Sequence, residues 1–299
     1  MPETHSINSS AKAAAASGDS VPVGCGAPLV FIDSGIGGLP YLKWVRERVP
    51  NENFVYIADR KNFPYGPKSA GEVFAAVKEC VDKALAVYNP KLFVLACNTA
   101  SVCALEGLRA AFPGRTFVGT VPAVKPAAEY SKNKRIGVLA TAATVHAQYL
   151  DDLIARFAPF CTVIRVAGAD IVSFVEKKFF TATQEERHWI VADAAARFRA
   201  EGVDVVVLAC THFLYLFREI SVELTDSVLI MDSREGVGRR VISLLSGGRE
   251  EDPANGAPPA PQPCPSPGYA RLYLTGDAPP DEQYAFFAAS FGLDLAGTL

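Results

Sequence analysis

The sequence predicts an α/β fold of two similar lobes, each a mostly parallel sheet flanked by helices, with the active site in the cleft between them. Three observations carry this expectation. Short Val/Ile/Leu/Phe-rich runs without polar alternation recur along the chain, as parallel strands buried on both faces should. Helix-period segments with legible caps separate them. Two distant stretches, VLACNTAS (94–101) and VVLACTHF (206–213), end a strand in the same way, with a cysteine followed by small polar groups.

In chain order, strands are expected at 29–32, 54–58, 92–96, 136–140, 163–167, 205–209 and 228–231. Ser69 and Glu72 form an S-x-x-E capping box ahead of a helix with Val73, Val77, Val81 and Leu85 on one face. Thr183 and Glu186 repeat the device before Ile190, Ala194 and Phe198, and Gly202 closes that helix. RLYLTGD (271–277) and the YAFFAASFG segment read as a last strand and helix. Residues 1–27 read as a disordered leader rich in Ala and Ser, without the basic and apolar regions of a secretory signal. The Pro/Gly-rich segment 247–268 has too little apolar content to order itself.

Composition narrows the function classes. A chain of 299 residues can hold two domains. Net charge is −3, with Lys and Arg neither in excess nor in runs, so nucleic-acid binding is not expected. No apolar run approaches the ~20 residues that cross a bilayer, so no membrane partner is expected and the chain is placed inside the cell. The seven cysteines (25, 80, 97, 103, 161, 210 and 264) follow no disulfide framework, and with four scattered histidines they supply no metal-ligand spacing.

A weak internal repeat organises what remains. One half has a strand ending in DSGIGG (33–38) and then the strand carrying Cys97. The other has a strand ending in TAAT (141–144) and then the strand carrying Cys210. Ligands of parallel α/β sheets bind beyond the carboxyl ends of strands, so facing lobes would bring both thiols to one cleft. DSGIGG is a cradle for a carboxylate or phosphate or a tight turn; Pro40 breaks any dinucleotide fingerprint, and Asp33 favours a bound amine. NFPYGPKS (62–69) offers Tyr65 as an aromatic wall with a hydroxyl and Gly66 as a flexible point. Asn98-Thr99 and Thr211-His212, just past the strands, can bind a small polar ligand, and His212 can tune the Cys210 thiol. Asp33 could do the same for Cys97. Two separated thiols in one cleft suit removal of a proton from one face of a carbon and delivery to the other: racemisation or epimerisation.

FIDSGIGG, YIADRKNFPYGPKS, VLACNTAS, VGTVPAVKPA, VLATAAT and VVLACTHF together resemble the motifs of the cofactor-independent glutamate racemases, in the family's order, from about Leu29 to Gly292. The resemblance implies interconversion of L- and D-glutamate with no pyridoxal phosphate, metal or nucleotide, supplying peptidoglycan synthesis in a bacterial cytoplasm. It implies one lobe from residues 28–121 with 234–299, interrupted by the 247–268 insertion, and a second from 122–233. Carried over by position, Cys97 acts on D-glutamate and Cys210 on L-glutamate, assisted by Asp33 and His212, with Glu176 orienting His212. Asp33-Ser34, Tyr65-Gly66, Asn98-Thr99, Thr211-His212 and Thr141 or Thr144 hold the substrate. A homodimer is open. Leu214 departs from the pattern, where Pro is usual. An aspartate or hydantoin racemase of the same family, a non-catalytic amino-acid-binding protein and a thiol redox sensor are the competing readings.

Overall fold

The computed structural model describes residues 26–246 and 268–299. The expected leader, apart from its last two residues, and the Pro-rich insertion, apart from Gly268, lie outside the described residues, as do Cys25 and Cys264.

Apolar runs and capped amphipathic segments alternate as anticipated. The first lobe comprises β1 (Leu29–Asp33), α1 (Leu39–Arg46), β2 (Phe54–Ala58), α2 (Ala70–Val87), β3 (Leu92–Leu95), α3 (Asn98–Ala111) and β4 (Phe117–Gly119). After α4 (Val124–Tyr130) come β5 (Arg135–Ala140), α5 (Ala142–Val145), α6 (Gln148–Phe157), β6 (Thr162–Ala167), α7 (Ala169–Lys177) and α8 (Gln184–Ala200). Then follow β7 (Val205–Leu208), α9 (Phe217–Leu224) and β8 (Leu229–Met231), which complete the second lobe. The chain returns through α10 (Arg234–Leu245), packed on α1, to β9 (Ala270–Leu274), α11 (Glu282–Ser290) and β10 (Asp294–Thr298).

Among the described residues every strand pairing is parallel. The first sheet runs β10-β9-β2-β1-β3-β4 and the second β6-β5-β7-β8. Without the two C-terminal strands, the orders are the same: second, first, third and fourth strand of each lobe. The repeat seen in sequence is therefore a repeat of topology. In both sheets the order reverses at the first strand, and the crevice where such a sheet binds ligands opens between its first and third strands. Asp33 ends the first strand of one lobe and Cys97 follows its third; Thr141 and Cys210 follow the corresponding strands of the other.

Both capping boxes form, with Ser69 and Thr183 as N-caps and Glu72 and Glu186 completing them. Gly202 closes α8 with φ +62°, in the left-handed region that favours glycine. Two expectations need correction. Burial on both faces holds for β1, β2, β3 and β7, but β6 and β8 are only partly buried, because they are the edges of a four-stranded sheet. The most buried line on α8 passes through Val191, Ala195 and Phe198, with Ile190 and Ala194 beside it. Strands β4 and β10 were not expected: one is three residues long, and the other, with its polar and glycine residues, lies half exposed at a sheet edge.

Candidate active site

The two cysteines occupy equivalent backbone positions. Cys97 is the N-cap of α3, with φ −143° and ψ 123°, and Cys210 caps the 3₁₀ turn Thr211–Leu216, with φ −143° and ψ 134°. Each is 6% exposed. Both open on one cavity of about 470 Å³, a volume that admits a small metabolite.

Ser34, Tyr65, Gly66, Asn98, Thr99, Thr141, Thr211 and His212 also line this cavity. Asp33, Thr144 and Glu176 stand behind the wall and act on residues that form it. Thr144 is buried and bonded to Thr141, whose hydroxyl meets that of Thr99 from the other lobe at 3.2 Å. Tyr65 lines the cavity, but its hydroxyl donates to Asp59 at 2.6 Å. The Nδ2 and Oδ1 atoms of Asn98 are buried without a hydrogen-bond partner in the protein. A buried amide left unpaired is costly, so these atoms are set to meet a polar ligand.

A network of charges joins the lobes beneath the cavity. The Asp33 carboxylate accepts from Ser34 Oγ and the Gly35 N–H at one oxygen, both at 3.1 Å, and from the Thr211 hydroxyl at the other, at 2.9 Å. Glu176 Oε1 accepts the Ile36 N–H at 2.6 Å and lies 2.7 Å from His212 Nε2. His212 Nδ1 lies 3.8 Å from Cys210 Sγ. These contacts explain the glycines of DSGIGG. A Cβ on Gly35 would strike the Glu176 carboxylate, and one on Gly37 would strike the Thr211 hydroxyl and the His212 ring. The turn needs glycine chiefly so that the second lobe can approach its backbone closely.

These surroundings set the protonation states. Burial raises Asp33 to about 6, against the pull of His212 and its hydrogen bonds. Burial would lower His212, but Cys210 and Glu176 beside it prevail and hold the imidazole well above its ordinary value. Burial, reinforced by the Asp33 charge, pushes the Cys97 thiol well up; the backbone N–H groups of Ala100 and Ser34 pull the other way. Cys97 therefore rests as a thiol, while Cys210 faces a cationic imidazole. No direct hydrogen bond joins Asp33 to Cys97 among the described residues, so Asp33 acts on that thiol through its charge.

The sequence reading missed part of the wall: Phe63 and, on α7, Ala169, Val172, Ser173 and Lys177. Ala169, Ser173 and Lys177 fall at i, i+4 and i+8, so the helical period could have shown that they share a face. It could not show that this face looks into the cleft. No cluster of three or more His, Cys, Asp or Glu side chains able to hold a metal occurs among the described residues. No helix there is long and apolar enough to cross a membrane.

Two repeated parallel lobes thus place a thiol at each switch point, and both thiols open on one cavity. Comparison with known proteins shows the family. The Asp/Glu/Hydantoin racemase family model matches residues 41–234. Glutamate racemase of Treponema pallidum is 40% identical over 271 residues, 90% of this chain and 95% of its own. Glutamate racemase of Sphingopyxis alaskensis is 43% identical over 225 residues, 74% of this chain and 83% of its own. The crystal structure of Escherichia coli glutamate racemase, in complex with L-glutamate and the activator UDP-MurNAc-Ala, superposes with a TM-score of 0.77 at 32% identity, covering 91% of this chain and 98% of that one. The chain belongs to the Asp/Glu/hydantoin racemase family and is an amino-acid racemase.

Proposed function

We propose that the protein interconverts L- and D-glutamate by moving the α-proton between two cysteines, without pyridoxal phosphate, metal or nucleotide, and so supplies D-glutamate for peptidoglycan in a bacterial cytoplasm. The observation that carries this reading is the pair Cys97 and Cys210, in matching backbone conformations at matching strand ends, opening on one cavity. The glutamate racemases among its relatives support the choice of substrate.

In the L-to-D direction the Cys210 thiolate takes the α-proton and becomes a thiol. The Cys97 thiol gives its proton to the opposite face of the same carbon and becomes a thiolate. In the D-to-L direction the roles exchange, so each turnover leaves the site ready for the other enantiomer. His212, oriented by Glu176, stabilises the thiolate of Cys210. The N-terminus of α3, with the Ala100 and Ser34 N–H groups, does so for Cys97 when it has lost its proton. Asp33, behind the wall, acts on the substrate amine through the Ser34 and Thr211 hydroxyls, which donate to its carboxylate and accept from the amine. The Asn98 amide and the hydroxyls of Thr99 and Thr141 hold the α-carboxylate while negative charge develops beside it, where excluded water leaves these dipoles at full strength.

The test is circular dichroism of L-glutamate, and separately D-glutamate, incubated with purified protein and no added cofactor. Both signals should decay to zero. Decay with aspartate but not glutamate would keep the chemistry and replace the substrate; a constant signal with both would overturn the reading.

A further inference from the structure

We infer that Asp59, buried just past β2, is a positioning residue for the reaction: with Thr275 of the returning C-terminal segment it holds the loop 60–67 across the cavity, from the side of one thiol to that of the other. The inference rests on the two-thiol reading above. Phe63, Pro64, Tyr65, Gly66 and Pro67 all line the cavity. The Phe63 ring lies 6.2 Å from that of His212, beside Cys210, at an interplanar angle of 50°. Tyr65 belongs to the same buried apolar cluster as Cys97. Gly66 backs on the second lobe so closely that a Cβ there would meet the Thr141 side chain at 3.6 Å. One loop thus touches both halves of the reaction and spans the lobes. It is built of rings and glycine, with the Tyr65 hydroxyl turned away to Asp59, so its use is to shape the cavity and keep water from the thiols.

The loop holds just one short regular element, the 3₁₀ turn Arg60–Asn62, and takes its shape from the Asp59 carboxylate. One Asp59 oxygen accepts the Tyr65 hydroxyl at 2.6 Å and the Asn62 amide at 3.0 Å. The other accepts the Thr275 hydroxyl at 2.5 Å and the same amide at 3.1 Å. The Thr275 oxygen in turn accepts the Lys61 N–H at 3.0 Å, and the Arg60 guanidinium donates to the carbonyls of Ala278 and Pro279. Thr275 follows β9, so the last part of the chain fastens a loop more than two hundred residues before it. The Asp59 N–H donates to the Asp33 carbonyl at 2.8 Å, which sets this carboxylate beside the strand end that carries Asp33. Asp59 and Thr275 are both buried and neither lines the cavity, so they act through the loop and not on the substrate. A buried carboxylate that lost its donors would be costly, which keeps the loop in one arrangement.

The experiment compares wild type with D59N, T275V and T275S. T275V keeps the shape of the side chain and removes the hydroxyl; T275S keeps the hydroxyl. For each, kcat and KM are measured on L- and D-glutamate, with a thermal midpoint and the α-deuterium content of recovered and newly formed glutamate during early turnover in D₂O. T275V should lower kcat/KM about tenfold and D59N about a hundredfold, the scale of a 1 Å misplacement of the reacting groups. In both variants water reaching the thiol exchanges its proton before it is returned, so deuterium in recovered L-glutamate should rise severalfold over wild type. T275S should stay near wild type in every readout. If D59N does not fold, T275V and T275S decide alone. Wild-type kcat/KM and deuterium content in T275V overturn the inference and leave glutamate racemisation standing. So does a fall of kcat/KM and thermal midpoint that T275S shares without added deuterium in recovered substrate, since that is loss of structure. Failure of the wild type to racemise glutamate overturns the functional reading itself, and this inference with it.

Discussion

Glu176 Oε1 stands 2.7 Å from His212 Nε2 and accepts the Ile36 N–H of the facing lobe at 2.6 Å. One buried carboxylate oxygen thus orients the imidazole that attends Cys210 and fastens the glycine turn that carries Asp33. The contact between the lobes and the contact to the imidazole beside Cys210 thus share one atom.

Replacing that carboxylate should weaken the step at Cys210 more than the step at Cys97. We predict that E176Q lowers kcat by about tenfold to a hundredfold. Because the two enantiomers have equal free energy, kcat/KM must fall equally in both directions. The asymmetry appears instead in isotope effects: the α-deuterium effect on kcat/KM should grow with L-glutamate and shrink with D-glutamate. Equal isotope effects for both enantiomers would remove Glu176 and His212 from the Cys210 side.

Gly37 lies where a Cβ would meet the Thr211 hydroxyl and the His212 ring. G37A is expected to force these groups apart and cost about a hundredfold in kcat, the scale of a 1 Å misplacement of reacting groups. A steady-state assay with a circular dichroism spectrum of the protein checks this. Full activity in G37A would mean that the turn and the second lobe do not approach as described.

Asp33 gives a pH dependence of defined sign. Its carboxyl is raised from 3.8 to about 6, so the folded protein holds this proton more tightly than the unfolded chain. Its contribution to stability is then fully present below about pH 4 and is lost as the pH rises through about 6. D33N lacks that titration. Urea unfolding from pH 4 to 7.5 should show D33N gaining on the wild type by about 2 kcal/mol across this window. A constant difference would mean that burial does not raise this carboxyl.

Much of the fold was legible because its signals are local. The apolar runs marked seven strands within a residue, an eighth was placed but drawn three residues too long, and the boxes at Ser69–Glu72 and Thr183–Glu186 marked the starts of two helices. The repeat of Asp33 with Cys97 and Thr141 with Cys210 foretold the shared strand order, since each motif follows a strand end. Less legible was whatever depends on which faces meet. Strand β10 is half polar, and only its pairing with β9 makes it a strand. The glycines of DSGIGG read as a cradle or a turn; their clearance for Glu176 and His212 requires both lobes in place. Tyr65 was expected to offer a hydroxyl, and nothing near it in sequence said that Asp59 takes it. Lys177 passed unnoticed beside Glu176 because its neighbour carried the motif and the cavity wall is tertiary.

The central claim, proton transfer between two thiols on opposite faces of one carbon, is tested most directly by racemising L-glutamate in D₂O and following early turnover by proton NMR. The account predicts deuterium at the α-carbon of the D-glutamate formed, with little in the L-glutamate recovered, and no racemisation by C97A or C210A. Deuterium appearing equally in recovered L-glutamate, or normal racemisation by either variant, would contradict it.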